Sequence, residues 1–545
     1  MNTSRQLTIY YLLFTAAIII RLALIPNPGF EADISFWKSW GLATYDKGIV
    51  EGMKATNNNY PTPFAYSLGT MVGIYSIFKD PHVFNDFWQN TNLLFLTISK
   101  MFPIIADIGI AVIILYIGRN TNKLGFPTLP SIGYWILSIG YLLSPLSIID
   151  GAVWGQVDSV GVCIFLLALL ALLKKNPLLS GFLFMLAMMT KLQNMIYGPL
   201  FFLFAWQYGG FHFLIQTITG ALVGFVGLNA EFFLTKNADR VFASLTENYD
   251  YFPWMSLNAY NLWWIVTGAR GMTTSDKLSV IGMVNAKTVG LLLFSGFYLF
   301  AMVRQVFQNL NPANMYQRMR SDTFFATRFS SLKIYAEQQG ASASSGVKKM
   351  YYEQSQLLQT FLEGLIIINA AFFLFQTQSH DRYAFPLSVF LLLWAPFAVC
   401  PARHRYAAQA FAGGYVLFTT FYFYNLHTAL VINYPNNGIP FLSLLTQPFF
   451  TITTSFVLLG LFGVFIYTLI KSSRISMFYL LCIFLLVITS LFTMNSSLFT
   501  KKPISLTTLT PYISEQAYGT RQTDKTVQSS FGGPNAWTRL SVQYA

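Results

Sequence analysis

Charge is scarce in this sequence. Only 10% of its 545 residues are Asp, Glu, Lys or Arg, and 21 of them are acidic. A soluble domain carries about a quarter of its residues as charges, so a water-facing protein of this size is excluded. Cysteine and histidine are also few. Cys163, Cys400 and Cys482 lie in or beside apolar runs with no metal-ligand spacing, so neither a disulfide framework nor a zinc site is expected. No repeat of fixed period is present, which speaks against transporter folds built from two related halves. The net charge of +13 sits in short loops rather than in a basic stripe, and nucleic acid is not an expected partner.

What the chain has instead is apolar length. It is 54% hydrophobic with a mean hydropathy of +0.49, and many runs approach the roughly 20 residues a helix needs to cross hydrocarbon. Hydropathy predicts an all-α polytopic membrane protein of about 13 transmembrane helices, near 7–25, 98–117, 127–146, 158–173, 177–190, 193–207, 212–233, 287–306, 356–376, 383–399, 407–425, 447–470 and 476–495. No small-residue cleavage site follows the first run, which reads as a retained anchor. Residues 1–495 form the transmembrane domain. The tail, 496–545, is an extracytoplasmic end or an incomplete module.

A cytoplasmic N-terminus places Arg119 and Lys123, Lys174 and Lys175, Arg403 and Arg405, Lys471 and Arg474, and the basic 307–355 loop on one side. That satisfies the positive-inside rule loop after loop. The first loop (26–97), the 147–157 loop, the 234–286 loop and the Gln378 to Arg382 turn then share the opposite face. In the first loop, Ile34 to Tyr45 and Phe64 to Phe78 mix polar and apolar residues at helical spacing, predicting two interfacial helices.

Nearly all candidate chemistry lies on that second face. Glu31 and Asp33 precede an aromatic platform of Phe36, Trp37 and Trp40; burial against Trp raises a carboxylate pKa toward a useful value, and Lys38 would oppose it. Asp33 also reads as a helix cap or a solvated loop residue. Tyr60 opens a Pro-rich stretch before a helix. Asp150, Gln156 and Asp158 sit at a span-to-span turn and read either as a site or as a hydrated hairpin. Lys191 and Gln193 lie between apolar stretches, where the lysine snorkels or holds an anion. His380 and Arg382 offer a second cationic cluster or an interfacial helix end. Asp107, seven residues from Lys100, calls for a buried structural partner. The aromatic segment Tyr249 to Trp264 suits sugar stacking or interfacial anchoring.

Several of these segments, in order, resemble the GT-C superfamily of membrane glycosyltransferases, most closely the dolichyl-phosphate-glucose glucosyltransferases of asparagine-linked glycan assembly and their bacterial relatives. Asp33 with Trp40 looks like the family's acidic first-loop motif. Tyr60-Pro61-Thr62-Pro63-Phe64-Ala65-Tyr66 is similar to Tyr-Pro-Pro-Leu-Thr-Ala-Tyr. Pro145 through Asp150 to Gln156 resembles Pro-x-x-x-x-Asp-His-x-His-x-Gln with both histidines absent. Lys191 to Tyr197 with Pro199 resembles Lys-Gln-Met-Ala-Leu-Tyr-Tyr-x-Pro, displaced by one residue, and His380-Asp381-Arg382 stands where the family has a His-Glu-Lys-like motif.

The resemblance implies an inverting transferase with Asp33 as catalytic base and Glu31, Tyr60, Asp150, Gln156, Lys191, Gln193, His380 and Arg382 at the substrates. It implies a polyprenyl-phosphate-linked hexose donor, an acceptor hydroxyl on a glycan, glycolipid or protein, and chemistry on the extracytoplasmic or lumenal side of a plasma or endoplasmic reticulum membrane. No metal or cofactor is expected. The competing class is a polytopic transporter or lipid-linked sugar flippase, which would spread charges through the midplane.

Overall fold

A computed structural model of the chain describes residues 3–130, 132–246, 250, 252–307, 343–399 and 405–472. The expected span at 476–495, the tail from 496, Cys400, Cys482, Arg403, Arg474 and most of the basic 307–355 loop lie outside the described residues.

The architecture is helical almost throughout; among the described residues the one sheet is an antiparallel pair of Ser279–Ile281 with Val284–Asn285. Among the described residues, seven helices are long and apolar enough to cross a membrane: Leu93–Arg119, Phe211–Leu228, Ala286–Phe307, Glu353–Phe375, Asp381–Val399, Gln409–Asn433 and Pro448–Lys471. The pair Gly133–Leu142 and Pro145–Trp154, bent by 41°, makes an eighth if it is one broken span. The chain is thus a multi-pass membrane protein. Thr8–Leu24, Asp158–Leu173 and Pro177–Thr190 are apolar but shorter, and the run expected at 193–207 is a 3-10 turn, Leu192–Tyr197, followed by the 12-residue helix Gly198–Gly209.

Local chemistry sets these boundaries. Asn92 accepts from the Phe95 N–H at 3.1 Å and starts the Leu93–Arg119 helix; Asn176 accepts from Leu179 N–H at 3.2 Å, with Pro177 at the first helical position. Both satisfy donors that a helix start leaves orphaned. Helices Pro177–Thr190 and Phe211–Leu228 pack through small residues, as membrane helices do: a Cβ on Gly181 would come within 2.8 Å of the Ala221 nitrogen. Rings fill the centre, with Phe165 against Phe184, Tyr197, Phe201 and Phe390 at 5.3–6.2 Å.

Two ion pairs are buried in this core. Arg21 Nε lies 3.1 Å from Asp107 Oδ2, its Nη1 donates to the Leu142 carbonyl and Nη2 to Ser147 Oγ, while Tyr141 donates to Asp107 Oδ1 at 2.7 Å. Asp107 therefore finds its structural partner in Arg21 rather than in Lys100, whose Nζ donates to the carbonyls of Ile25 and Asn27. Arg304 meets Glu363 at 2.6 Å, and Gln359 and Trp394 donate to the remaining carboxylate oxygen.

The first loop holds the two expected helices, Glu31–Lys54 and Thr62–Ser76, packed on each other. Lys38 does not face Asp33. Its ammonium is buried, donates to the Gln89 carbonyl at 2.9 Å and lies 5.3 Å from the Phe95 ring centre. Burial pulls its pKa from 10.5 down to about 8. Between those values the unfolded chain holds a proton that the folded chain has lost, so stability rises with pH there. Thermal unfolding in detergent is expected to shift upward from pH 8 to 10.5, by up to roughly 3 kcal/mol, and Lys38→Met should flatten that rise. An equal rise in the variant would assign it to other groups.

Candidate active site

The site begins at a helix start. Asp33 lies in the first turn of Glu31–Lys54, where the unsatisfied N–H groups favour an anion. That turn is fastened from far along the chain: the Tyr434 hydroxyl accepts from Ala32 N–H at 3.0 Å, and Phe30 stacks on Trp154 with ring centres 4.8 Å apart. Gly29 turns the chain at φ +67°, and a Cβ there would stand 2.7 Å from the Trp154 carbonyl oxygen. Only glycine lets the two backbones meet this closely.

Asp33 Oδ2 accepts from Trp154 Nε1 at 3.0 Å and also from Gln156 Nε2. Arg382 Nη1 stands 4.0 Å from the same oxygen. The side chains of Asp33 and Arg382 keep 20% and 15% of their surface open, so a ligand can reach both. Oδ1 makes no hydrogen bond to the described residues and is the carboxylate oxygen left to accept a proton. Arg382 also hydrogen-bonds the Tyr60 hydroxyl; burial, against the pull of Arg382, raises that phenol to about 12. Tyr60 is therefore a neutral hydroxyl in the wall, its ring 6.0 Å from Trp40 and 4.6 Å from Phe64.

The 147–157 segment departs from the hydrated hairpin reading. It is a buried π-helix, Ile148–Trp154, closed by Gly155 at φ +86°. The Asp150 carbonyl accepts from the N–H groups of both Gly155 and Gln156. A π-turn of this kind is rare and often functional. It aims Trp154 and Gln156 at Asp33 and leaves the Asp150 side chain 1% exposed.

Asp158 opens the next helix and forms an ion pair with Lys191, the residue that ends Pro177–Thr190. Gln193 donates to the same Asp158 oxygen at 3.3 Å from the 3-10 turn. Lys191, buried and paired with Asp158, does not snorkel.

His380, Asp381 and Arg382 are held by a clamp from the 250–286 loop. The Leu257 N–H donates to the Ser379 carbonyl and Asp381 N–H to that of Leu257. Gln378, at φ +58°, donates to Asp250 and Asp276, and Asp250 also meets Lys277 and Lys287. Burial would raise Asp250, yet the bonds from Lys287, Gln378 and Lys277 leave its pKa below the usual carboxylate range. The His380 ring packs edge-on to Phe252 and Tyr383. Burial, then the charges of Arg382 and Lys191, push its pKa well below 6.5, so it serves as a neutral side chain rather than as part of a cationic cluster.

The fold thus gathers Asp33, Tyr60, Asp150, Gln156, Lys191, Gln193, His380 and Arg382. Glu31 stands apart in role: its two oxygens accept from Asn90 at 2.5 Å and Asn437 at 3.1 Å, tying three segments together. Trp154 and the clamp residues Asp250 and Asp276 were missed as site residues, whereas Asp158 was already grouped with Asp150 and Gln156 at the turn. The Trp-Gly-Gln run of 154–156 was the available signal for the first. Trp263 and Trp264 are buried and spend their N–H groups on the Phe375 carbonyl and Thr451, so they neither stack sugars nor anchor at an interface.

The two core ion pairs are fully partnered, whereas this cluster keeps unpaired polar atoms on Asp150, Asp158, Gln156, Gln193 and Arg382. Buried polar atoms without partners are uncommon and call for an explanation. Among the described residues, no group of three or more His, Cys, Asp or Glu side chains converges as metal ligands. No known protein-family model matches the chain, and no curated protein is similar to it.

Proposed function

We propose that the chain is an inverting glycosyltransferase of the GT-C kind, moving a hexose from a polyprenyl-phosphate-linked donor to an acceptor hydroxyl on the extracytoplasmic or lumenal side. About 13 spans and the sidedness argued from the basic loops belong to this reading. The observation that carries it is the juxtaposition of Asp33 and Arg382, a carboxylate with one free oxygen beside a guanidinium, both reachable.

In the reaction the acceptor O–H gives its proton to Asp33 Oδ1 as its oxygen bonds to the anomeric carbon. The bond from that carbon to the phosphate oxygen breaks, its electron pair leaves with the polyprenyl phosphate, and the configuration inverts. Arg382 and Lys191 face the leaving phosphate, a charge-assisted and, for Arg, bidentate recognition. Trp154 and Gln156 hold the base by its other oxygen. What favours an enzyme over a transporter or flippase is that the core pairs Arg21–Asp107 and Arg304–Glu363 are closed on themselves, while Asp150, Gln156, Asp158, Gln193 and Arg382, each with an unpaired buried atom, stand together beside Asp33.

Incubation of the purified chain with a panel of polyprenyl-phosphate sugars is the direct test, read as loss of sugar from the donor. Arg382→Met and Lys191→Met are each expected to raise the KM for donor about 10- to 100-fold, the range for losing a charged hydrogen bond, with a smaller change for acceptor. Unchanged donor affinity in both folded variants would remove the phosphate site.

A further inference from the structure

The 250–286 loop ends in a hairpin that the proposed chemistry does not use. Ser279–Ile281 pairs with Val284–Asn285, and Gly282 turns the tip at φ +55°. The feet are tied down. Ala286 N–H donates to the Leu278 carbonyl and Lys287 N–H to that of Asp276, both at 3.0 Å, and Asn285 Oδ1 accepts from Thr288 N–H at 2.8 Å. Val280 turns inward and packs, with Val289 of the following helix, on the cluster of Met255, Trp263 and Ala286. Strand alternation then sends Ile281 the other way. Leu278 is 41%, Ile281 64% and Met283 86% exposed, and Met283 is the most open large apolar side chain among the described residues. A Cβ on Gly282 would meet nothing within 4 Å, so no described residue closes over the turn.

What covers these side chains follows from where the hairpin stands. Ala286–Phe307 has 22 residues, about 33 Å at the α-helical rise, which sets Ala286 at the edge of about 30 Å of hydrocarbon. Only 22% of the helix's apolar stretch is buried by the protein, and Leu291, near its start, is 46% exposed, so lipid covers most of this span. Met283 is three residues from Ala286 and therefore within about 10 Å of that edge at the strand rise. The headgroup layer is about 5–8 Å deep on each side. We infer that the 278–285 hairpin is a lipid-contacting finger whose apolar tip, Ile281 and Met283, seats in the boundary between headgroups and acyl chains. Its partner is the membrane surface. Taking the two side chains out of water favours the seated position at least about 10-fold. The finger also has a direct line to the clamp: it leaves at Asp276, which accepts from Gln378, and returns at Lys287, which donates to Asp250. None of this depends on the glycosyl-transfer reading.

The test uses the full chain reconstituted in phosphatidylcholine vesicles. Met283 is a native probe, because a thioether open to water is readily oxidised. Under hydroxyl-radical labelling, read by peptide mass spectrometry, Met283 is expected to oxidise at least about 10-fold more slowly than in the same chain unfolded in denaturant. A fluorophore on Met283→Cys, in a chain with Cys163, Cys400 and Cys482 replaced by alanine, should be quenched by lipids brominated near the headgroup end of their acyl chains and spared by iodide in the buffer. Adding Ile281→Asp to the labelled chain puts a charge at the tip and should exchange the two responses. Should the cysteine-free chain not fold, the oxidation rate of the native chain still separates a seated tip from one in water. Oxidation of Met283 at the unfolded-chain rate, with iodide quenching of the label, would place the tip in water and overturn the inference. A label that neither quencher reaches would mean that a second copy of the chain or another protein covers the finger, which overturns it as well. Sugar transfer is measured in neither arm, so either result leaves the transferase reading where it stood.

Discussion

Asp33→Asn is expected to yield a folded protein whose transfer rate falls by about 10²- to 10⁴-fold, the usual contribution of a general base. The geometry makes this substitution clean. The asparagine carbonyl can take the place of Oδ2 and accept from Trp154 and Gln156, as the carboxylate does. The amide nitrogen then occupies the position of Oδ1, a donor where the acceptor hydroxyl needs to leave its proton. Shape, helix start and neighbours persist, and proton acceptance is lost. Glu31→Gln is the control, since Glu31 is engaged with Asn90 and Asn437; its rate should fall far less. Turnover at the wild-type rate in a well-folded Asp33→Asn protein, with loss in Glu31→Gln, would reverse the assignment.

The largest effect on stability is expected at Arg21 and Asp107. Both are fully buried, and the pair is closed by the Leu142 carbonyl, Ser147 and Tyr141. Removing one partner leaves an uncompensated charge in the core, which costs about 3–5 kcal/mol, while replacing both with apolar residues of similar volume is often nearly neutral. Arg21→Met and Asp107→Leu should therefore each lower the thermal midpoint sharply, and the double variant should recover most of the loss. Single variants as stable as the wild type would show that the pair does not hold the core. A double variant that folds and transfers sugar would establish that these intramembrane charges serve structure alone.

How much of this was readable beforehand depends on the range of the contact. Helices written in continuous apolar runs, such as Leu93–Arg119 and Pro448–Ser472, were legible because a span's signal is local. Residues at segment ends stood out, Lys191 as an isolated charge between apolar stretches and Asp33 and Arg382 within short charged clusters. Their partners did not. Asp107 reaches 86 residues back to Arg21, and Asp33 takes N–H groups 121 and 123 residues ahead. Nor does hydropathy encode a π-turn: residues 147–157 are mixed enough to pass for a loop, and burial reverses the meaning of Asp150. Lys38 misled in a similar way, because five positions along a helix from Asp33 puts it on a different face, against Phe95.

The shortness of two helices has a consequence for the bilayer itself. Asp158–Leu173 has 16 residues and Pro177–Thr190 has 14, about 24 and 21 Å at the α-helical rise, against about 30 Å of hydrocarbon. Lys174 and Lys175 join the two at one end. With that end at one membrane surface, Asp158 and Lys191 stop about 6 to 9 Å short of the other. Were both helices spans, the hydrocarbon would have to thin by that amount around the polar cluster, with headgroups and water following it inward. On the transferase proposal, a lipid phosphate reaching Arg382 and Lys191 would descend below the plane of its neighbours and shed part of its hydration, the two cations standing in for the lost water.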